Sequence, residues 1–204
     1  MSASSPSPVW LRADALGYSY PDQPVFQGLS FAIGPGLSVI LGGDGRGKTT
    51  LLRLMAGELA ATAGVLERKV PSLFAANPRD PADDPLTARQ WLARRRAEHP
   101  GWDASHEQRL ARGFALEAQL DKGLFMLSTG TRRKVWLTAA LACGAALVLL
   151  ETPFTALDLP SRRFLGGMFR DAAGSSTQAL VLADHALPDE LADAPLAARI
   201  ELGD

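Results

Sequence analysis

LSVILGGDGRGKTTLLRLM, residues 37–55, places an apolar run, a glycine-rich turn and a helical pattern in immediate succession. LSVIL at 37–41 is a continuous apolar run of the length of a buried central strand. TTLLRLMAGELA, from 49 to 60, reads as a helix with Leu51, Leu54 and Met55 on one face. Between them, GGDGRGKT at 42–49 satisfies the pattern G-x-x-x-x-G-K-[ST]. Small residues let successive backbone N–H groups close around an anion, and the helix that follows points its positive end at the same place. The stretch therefore reads as a phosphate cradle. Its candidate nucleotide contacts are Gly42, Gly43, Asp44, Gly45, Arg46, Gly47, Lys48, Thr49 and Thr50. Lys48 is expected to reach the β- and γ-phosphates of ATP, and the Thr49 hydroxyl to ligate Mg²⁺.

Working outward, residues 9–16 and 25–32 alternate apolar and polar side chains as strands do, and GPG at 34–36 turns the chain. RDPADDP at 79–85 is turn material. TARQWLARRRAEH at 87–99 is a helix with Thr87 as N-cap, and DASHEQRLARGFALEAQL at 103–120 supplies another. After residue 146 the pattern returns to strand, helix, strand: ALVLL, then a helix with Pro160 in its first turn, then QALVLA at 178–183 and AARIEL at 197–202. Alternating strands and helices imply a mainly parallel sheet. The expected fold is α/β: a P-loop NTPase core with an N-terminal antiparallel β portion and an inserted α-helical subdomain. The expected boundaries are a disordered tail at 1–8, a core at 9–78 and 146–204, and helices at 79–145. No regulatory domain is expected after Asp204.

Bulk composition narrows the function. With 204 residues, 47% of them hydrophobic, the chain suffices for one well-buried core. A net charge of −1 argues against nucleic acid as a partner. The single cysteine, Cys143, cannot form an internal disulfide and reads as a small core residue suited to a reducing compartment. MSASSPSP at the start lacks the charged and apolar regions of a signal peptide. The longest uncharged run, 135–150, is interrupted by Gly144 and falls short of the roughly 18 residues of a membrane span. Any membrane-spanning partner would have to be another chain.

Further motifs follow in a telling order. LSTGTRRKV at 127–135 resembles the LSGGQ signature of ATP-binding cassette proteins, and LVLLETPFTALD at 147–158 resembles that family's Walker B strand and D-loop. LVLADH at 180–185 is similar to the switch-histidine strand, and YSYPD at 18–22 to the adenine-stacking A-loop. The resemblance runs from about residue 9 to 202. It implies Tyr20 as the ring on adenine, His185 as the γ-phosphate sensor, and Leu127, Ser128, Thr129, Gly130 and Thr131 as contacts to ATP held by a second cassette. It also implies head-to-tail dimers, homo- or hetero-, closing on ATP and Mg²⁺. A membrane permease docked near residues 76–90 completes the assembly, at the inner face of the cytoplasmic membrane. Short bacterial subunits of haem-exporter type are similar, without assigning a cargo.

The match departs from the family where hydrolysis is carried out. Pro153 and the ALD of the D-loop set the register, so that Glu151 stands where the family has its Mg²⁺-orienting Asp and Thr152 where it has its catalytic Glu. Glu151 retains an oxygen ligand for the metal. Thr152 is no general base near neutral pH, and loss of such a base costs about 10²–10⁴-fold in rate. At the Q-loop the expected glutamine is replaced by Ala76, with Asn77 beside it, and Asp158 ends the D-loop. Two readings follow: a slow ATPase subunit of a transporter, with Glu151 and His185 carrying residual chemistry, and an ATP-gated subunit that scarcely hydrolyses.

Plainer readings stand beside these. Tyr18 rivals Tyr20 as the stacking ring, and either could be a strand aromatic. His99 and His106 read as surface residues, Arg94 to Arg96 as a solvated helix face, and Trp91, Trp102 and Trp136 as packing residues. For Arg132, Arg133 and Lys134, surface positions and dimer contacts both stand open.

Overall fold

The computed structural model describes residues 8–75 and 81–203. Residues 1–7 and the segment 76–80, with the Q-loop positions Ala76 and Asn77, lie outside the described residues.

The chain opens with β1 (Leu11–Tyr20), β2 (Gln23–Ile33), β3 (Gly36–Leu41), α1 (Lys48–Ala56), β4 (Ala63–Arg68) and the two-residue β5 (Leu73–Phe74). Three helices follow, α2 (Ala88–Glu98), α3 (Ala104–Gly113) and α4 (Thr129–Ala142), and then β6 (Leu147–Glu151), α5 (Leu159–Ala173), β7 (Ala179–Asp184) and β8 (Leu196–Glu201). A five-stranded sheet in the order β5-β6-β7-β3-β8 is parallel throughout, and a three-stranded antiparallel sheet runs β2-β1-β4. This is the α/β class read from the sequence.

The central strands read as unbroken apolar runs because both of their faces are covered. Leu37, Val39, Leu41, Val148, Leu150, Leu180 and Leu182 face one core, which they share with Trp91, Trp136 and Phe169 from the helices. The intervening residues Ile40, Leu147, Leu149, Val181 and Ala183 face a second core, with Leu51, Leu54 and Met55 of α1 and Leu11, Leu16 and Ile33 of the antiparallel sheet. The period-two alternation is hidden in hydropathy but explicit in which core each side chain joins.

Several expectations need correction. The helix expected over 49–60 stops at Ala56, because Gly57 turns to φ 79° and the N–H groups of Gly57 and Glu58 close onto Leu54 and Arg53 carbonyls. The helix expected to run to 120 stops at Gly113, and Ala115 at φ 53° sends the chain into a short 3₁₀ turn at Glu117–Gln119. A Cβ at position 113 would lie 2.1 Å from the Phe164 ring, so only glycine admits that ring. The strand β4 was not anticipated: it is a sheet edge, half-buried only at Leu66, and carries no alternation to read. Thr87 caps α2 as expected, in a full capping box with Gln90.

His99 and His106 are half-buried rather than on the surface. His99 packs its ring 5.5 Å from that of Phe74, and loss of water lowers the pKa of both imidazoles. Cys143 is buried, its thiol pushed up to about 11 by desolvation, which makes it inert. Among the described residues no helix is long and apolar enough to cross a membrane.

Candidate functional site

The loop between β3 and α1 is shaped by glycine. Gly45 and Gly47 take φ of 74° and 93°, where a side chain is strained, and a Cβ at Gly47 would lie 2.4 Å from a methyl of Val25. No side chain caps α1, so its first N–H groups face the loop unsatisfied by the helix itself. Lys48 is buried, and its ammonium donates to the carbonyls of Gly42 and Gly43 at 2.7 Å each. Those contacts turn the loop's carbonyls toward the lysine. An uncapped helix start beside the Lys48 ammonium suits a polyphosphate.

Thr49 lies on the exposed side of the same helix turn, and its hydroxyl donates to a carboxylate oxygen of Glu151 at the end of β6. The sheet brings them together across 102 residues of chain, because β3 and β6 both flank β7. A hydroxyl and a carboxylate are hard oxygen donors, and no cluster of three His, Cys, Asp or Glu occurs among the described residues. Two protein oxygens with the rest left to phosphate and water match the habits of Mg²⁺. The donor set fits the metal.

Three more expected residues gather at this mouth. The Tyr20 hydroxyl is 3.4 Å from the Thr50 hydroxyl, which puts the half-exposed ring beside the start of α1; Tyr18 packs edge-on against it at 5.0 Å. The His185 Nε2 lies 3.4 Å from an Asp44 carboxylate oxygen, joining the end of β7 to the glycine loop. Thr152 follows Glu151 and takes φ 43°, a left-handed conformation unfavourable for a β-branched residue. Its N–H donates to the Ala183 carbonyl at 2.8 Å, continuing the β6–β7 pairing past the strand end.

The residues 127–131 are elsewhere. Ser128 caps α4, accepting from the Thr131 N–H at 3.1 Å, and Ser128 and Thr129 are exposed. Among the described residues no hydrogen bond or ion pair joins 127–131 to 42–49. They pack instead on the D-loop of their own chain. A Cβ on Gly130 would sit 2.3 Å from the Ala156 carbonyl, and Lys134 donates to Asp158 at 2.6 Å. Asp158 also caps α5 through the Ser161 N–H at 2.9 Å, and the two contacts hold its carboxyl well below the usual range.

Of the three basic residues left open, Arg132 pairs with Asp84 at 2.6 Å and Lys134 with Asp158. Arg133 points inward at 5% exposure and donates to the carbonyls of Glu151 and Thr152. No pattern in the sequence separates it from its half-buried neighbours, except that it falls three residues before Trp136 on the buried side of α4. The arginines at 94–96 are engaged: Arg94 and Arg95 with Asp83 and Glu98, Arg96 with Glu107.

Comparison with known proteins adds one family match, two relatives and two solved structures. The family model described as ABC transporter matches residues 26–155. The chain is 33% identical over 192 residues to the cytochrome c biogenesis ATP-binding export protein CcmA of Cupriavidus necator, covering 87% of this chain and 83% of that one. It is 32% identical over 198 residues to the thiamine import ATP-binding protein ThiQ of Yersinia pestis, covering 88% and 81%. In structure it is similar to an ABC transporter ATP-binding protein from Pyrococcus furiosus, with a TM-score of 0.75 at 20% identity over 94% of this chain and 96% of that one. The ATP-binding subunit of another ABC transporter gives 0.73, again at 20% identity, over 87% and 80%.

Proposed function

The chain belongs to the ABC transporter family as an ATP-binding subunit, and on that premise we propose that it binds Mg-ATP in the 42–50 loop and closes with a second cassette to drive a membrane permease. The observation that carries the reading is the meeting of Thr49 and Glu151 at the mouth of the glycine loop, where a metal would lie against the phosphates. In this reading the loop amides and Lys48 neutralise the triphosphate, and Tyr20 covers the adenine. Thr49 and Glu151 would hold a Mg²⁺ ion, which would supply charge neutralisation to the phosphates. His185 leaves Asp44 to hold the γ-phosphate when nucleotide is present.

Ser128 and Thr129, at the start of α4, are exposed. They serve the nucleotide of the partner cassette, so that ATP becomes part of the interface. The partner is a second copy or a related subunit, and the assembly sits at the inner face of the cytoplasmic membrane against an integral-membrane permease. The core at 9–78 and 146–204 carries the nucleotide, and the helices at 79–145 carry the signature and the permease contact.

Hydrolysis by this chain is slow in this proposal. Thr152 offers a hydroxyl where a carboxylate would activate water, and that observation also favours a second reading, an ATP-gated subunit that depends on a competent partner cassette. Purification of the tagged chain from native membranes tests the transporter assignment. A polytopic protein in stoichiometric amount supports it, and recovery of the chain without any membrane protein contradicts it.

A further inference from the structure

Arg133 lies in α4, five residues beyond the N-cap Ser128, with its guanidinium inside the protein at 5% exposure. A buried guanidinium is costly unless its donors are matched. Here Nη1 donates to the Glu151 carbonyl at 3.1 Å and to the Thr152 carbonyl at 2.6 Å, while the Trp136 ring lies 5.8 Å from the charge. The same two residues are held from the other side, by the Thr152 N–H on Ala183 and the Glu151 pairing with β7. Thr152 keeps φ 43° between these restraints. Left-handed backbone at a β-branched residue persists only where its surroundings over-determine it.

We infer that Arg133 is a positioning residue for the metal site: by gripping the two carbonyls where β6 ends, it aims the Glu151 carboxylate at Thr49. Thr49 receives that carboxylate on α1, so the peptide planes at 151 and 152 set the distance between two metal oxygens. The helix that supplies this grip begins with the residues read as contacting the partner's nucleotide. This inference rests on the Mg-ATP reading above.

Arg133→Gln and Arg133→Lys test it in two ways. Without nucleotide, amide exchange at Thr152 and Thr155, whose N–H groups are bonded to Ala183 and Thr152, is expected to rise in Arg133→Gln and less in Arg133→Lys. In titrations of ATP with Mg²⁺ and with a chelator, the strengthening due to Mg²⁺ is expected to fall about tenfold in Arg133→Gln, with chelator affinity unchanged. An unchanged Mg²⁺ effect, or equal losses with and without metal, overturns the inference. If Arg133→Gln does not fold, Arg133→Lys decides by the same criteria. Absence of ATP binding by the wild-type chain would instead defeat the functional reading, and unaltered exchange at 152 and 155 would still overturn the role of Arg133.

Discussion

Replacing Thr152 by Glu should raise ATP turnover. The backbone there is held at both ends, by Ala183 on the N–H and by Arg133 on the carbonyl, so the new side chain departs from an unmoved Cα next to the Glu151 carboxylate proposed to hold the metal. Thr and Glu face the same φ of 43°, but Glu is unbranched at Cβ and bears the left-handed conformation at lower cost. The substitution should therefore leave the midpoint of unfolding level or slightly raised. A positioned general base contributes about 10²–10⁴-fold, or about 2.7–5.4 kcal/mol of barrier at 1.36 kcal/mol per decade. Some of that gain is lost wherever the partner site limits closure, so a rise of about tenfold or more is the expected floor. Steady-state phosphate release, measured alongside ATP affinity, reads the effect. Unchanged turnover in a mutant that binds ATP normally would refute the assignment of position 152 as the missing base.

Gly130→Ala should destabilise the chain by about 1–3 kcal/mol, because its Cβ would fall 2.3 Å from the Ala156 carbonyl and force the D-loop away from α4. Urea unfolding checks this, and an unchanged midpoint contradicts the packing described. Stability should also fall on acidification through the histidines: burial lowers the pKa of His99 and His106, so the unfolded chain binds more protons just below the ordinary value of about 6.5. Their contribution is present above that pH and is lost as pH falls toward the lowered values. The double variant His99→Gln, His106→Gln should flatten the dependence of the thermal midpoint on pH between about 5 and 7, and an identical slope would contradict it.

What could be read from sequence follows physical locality. The glycine loop at 42–49 was legible because its shape is set by consecutive residues: glycines at 45 and 47 for positive φ, then Lys48 and Thr49 at the helix start. The central strands were legible as apolar runs because they are covered on both faces. The helix end at 56 was overlooked although Gly57 is a local C-cap signal, because the helical pattern was carried on to Leu59, whereas the end at 113 depends on a glycine whose meaning comes from a partner, Phe164 against Gly113. The edge strand β4 buries too little to leave a pattern. Arg133 was the hardest case. In a run of three basic residues, the one that points inward is chosen by the rotation of α4 against β6, which no local propensity encodes.

The central claim is that the amides of residues 42–47, with Lys48 and Thr49, enclose the phosphates of ATP. Isothermal titration of the folded chain with Mg-ATP addresses it most directly, with Lys48→Ala as the comparison. The account predicts saturable uptake of one nucleotide per chain by the wild type and strongly weakened uptake by Lys48→Ala. No uptake by the folded wild-type chain, or equal affinity in both proteins, would contradict it.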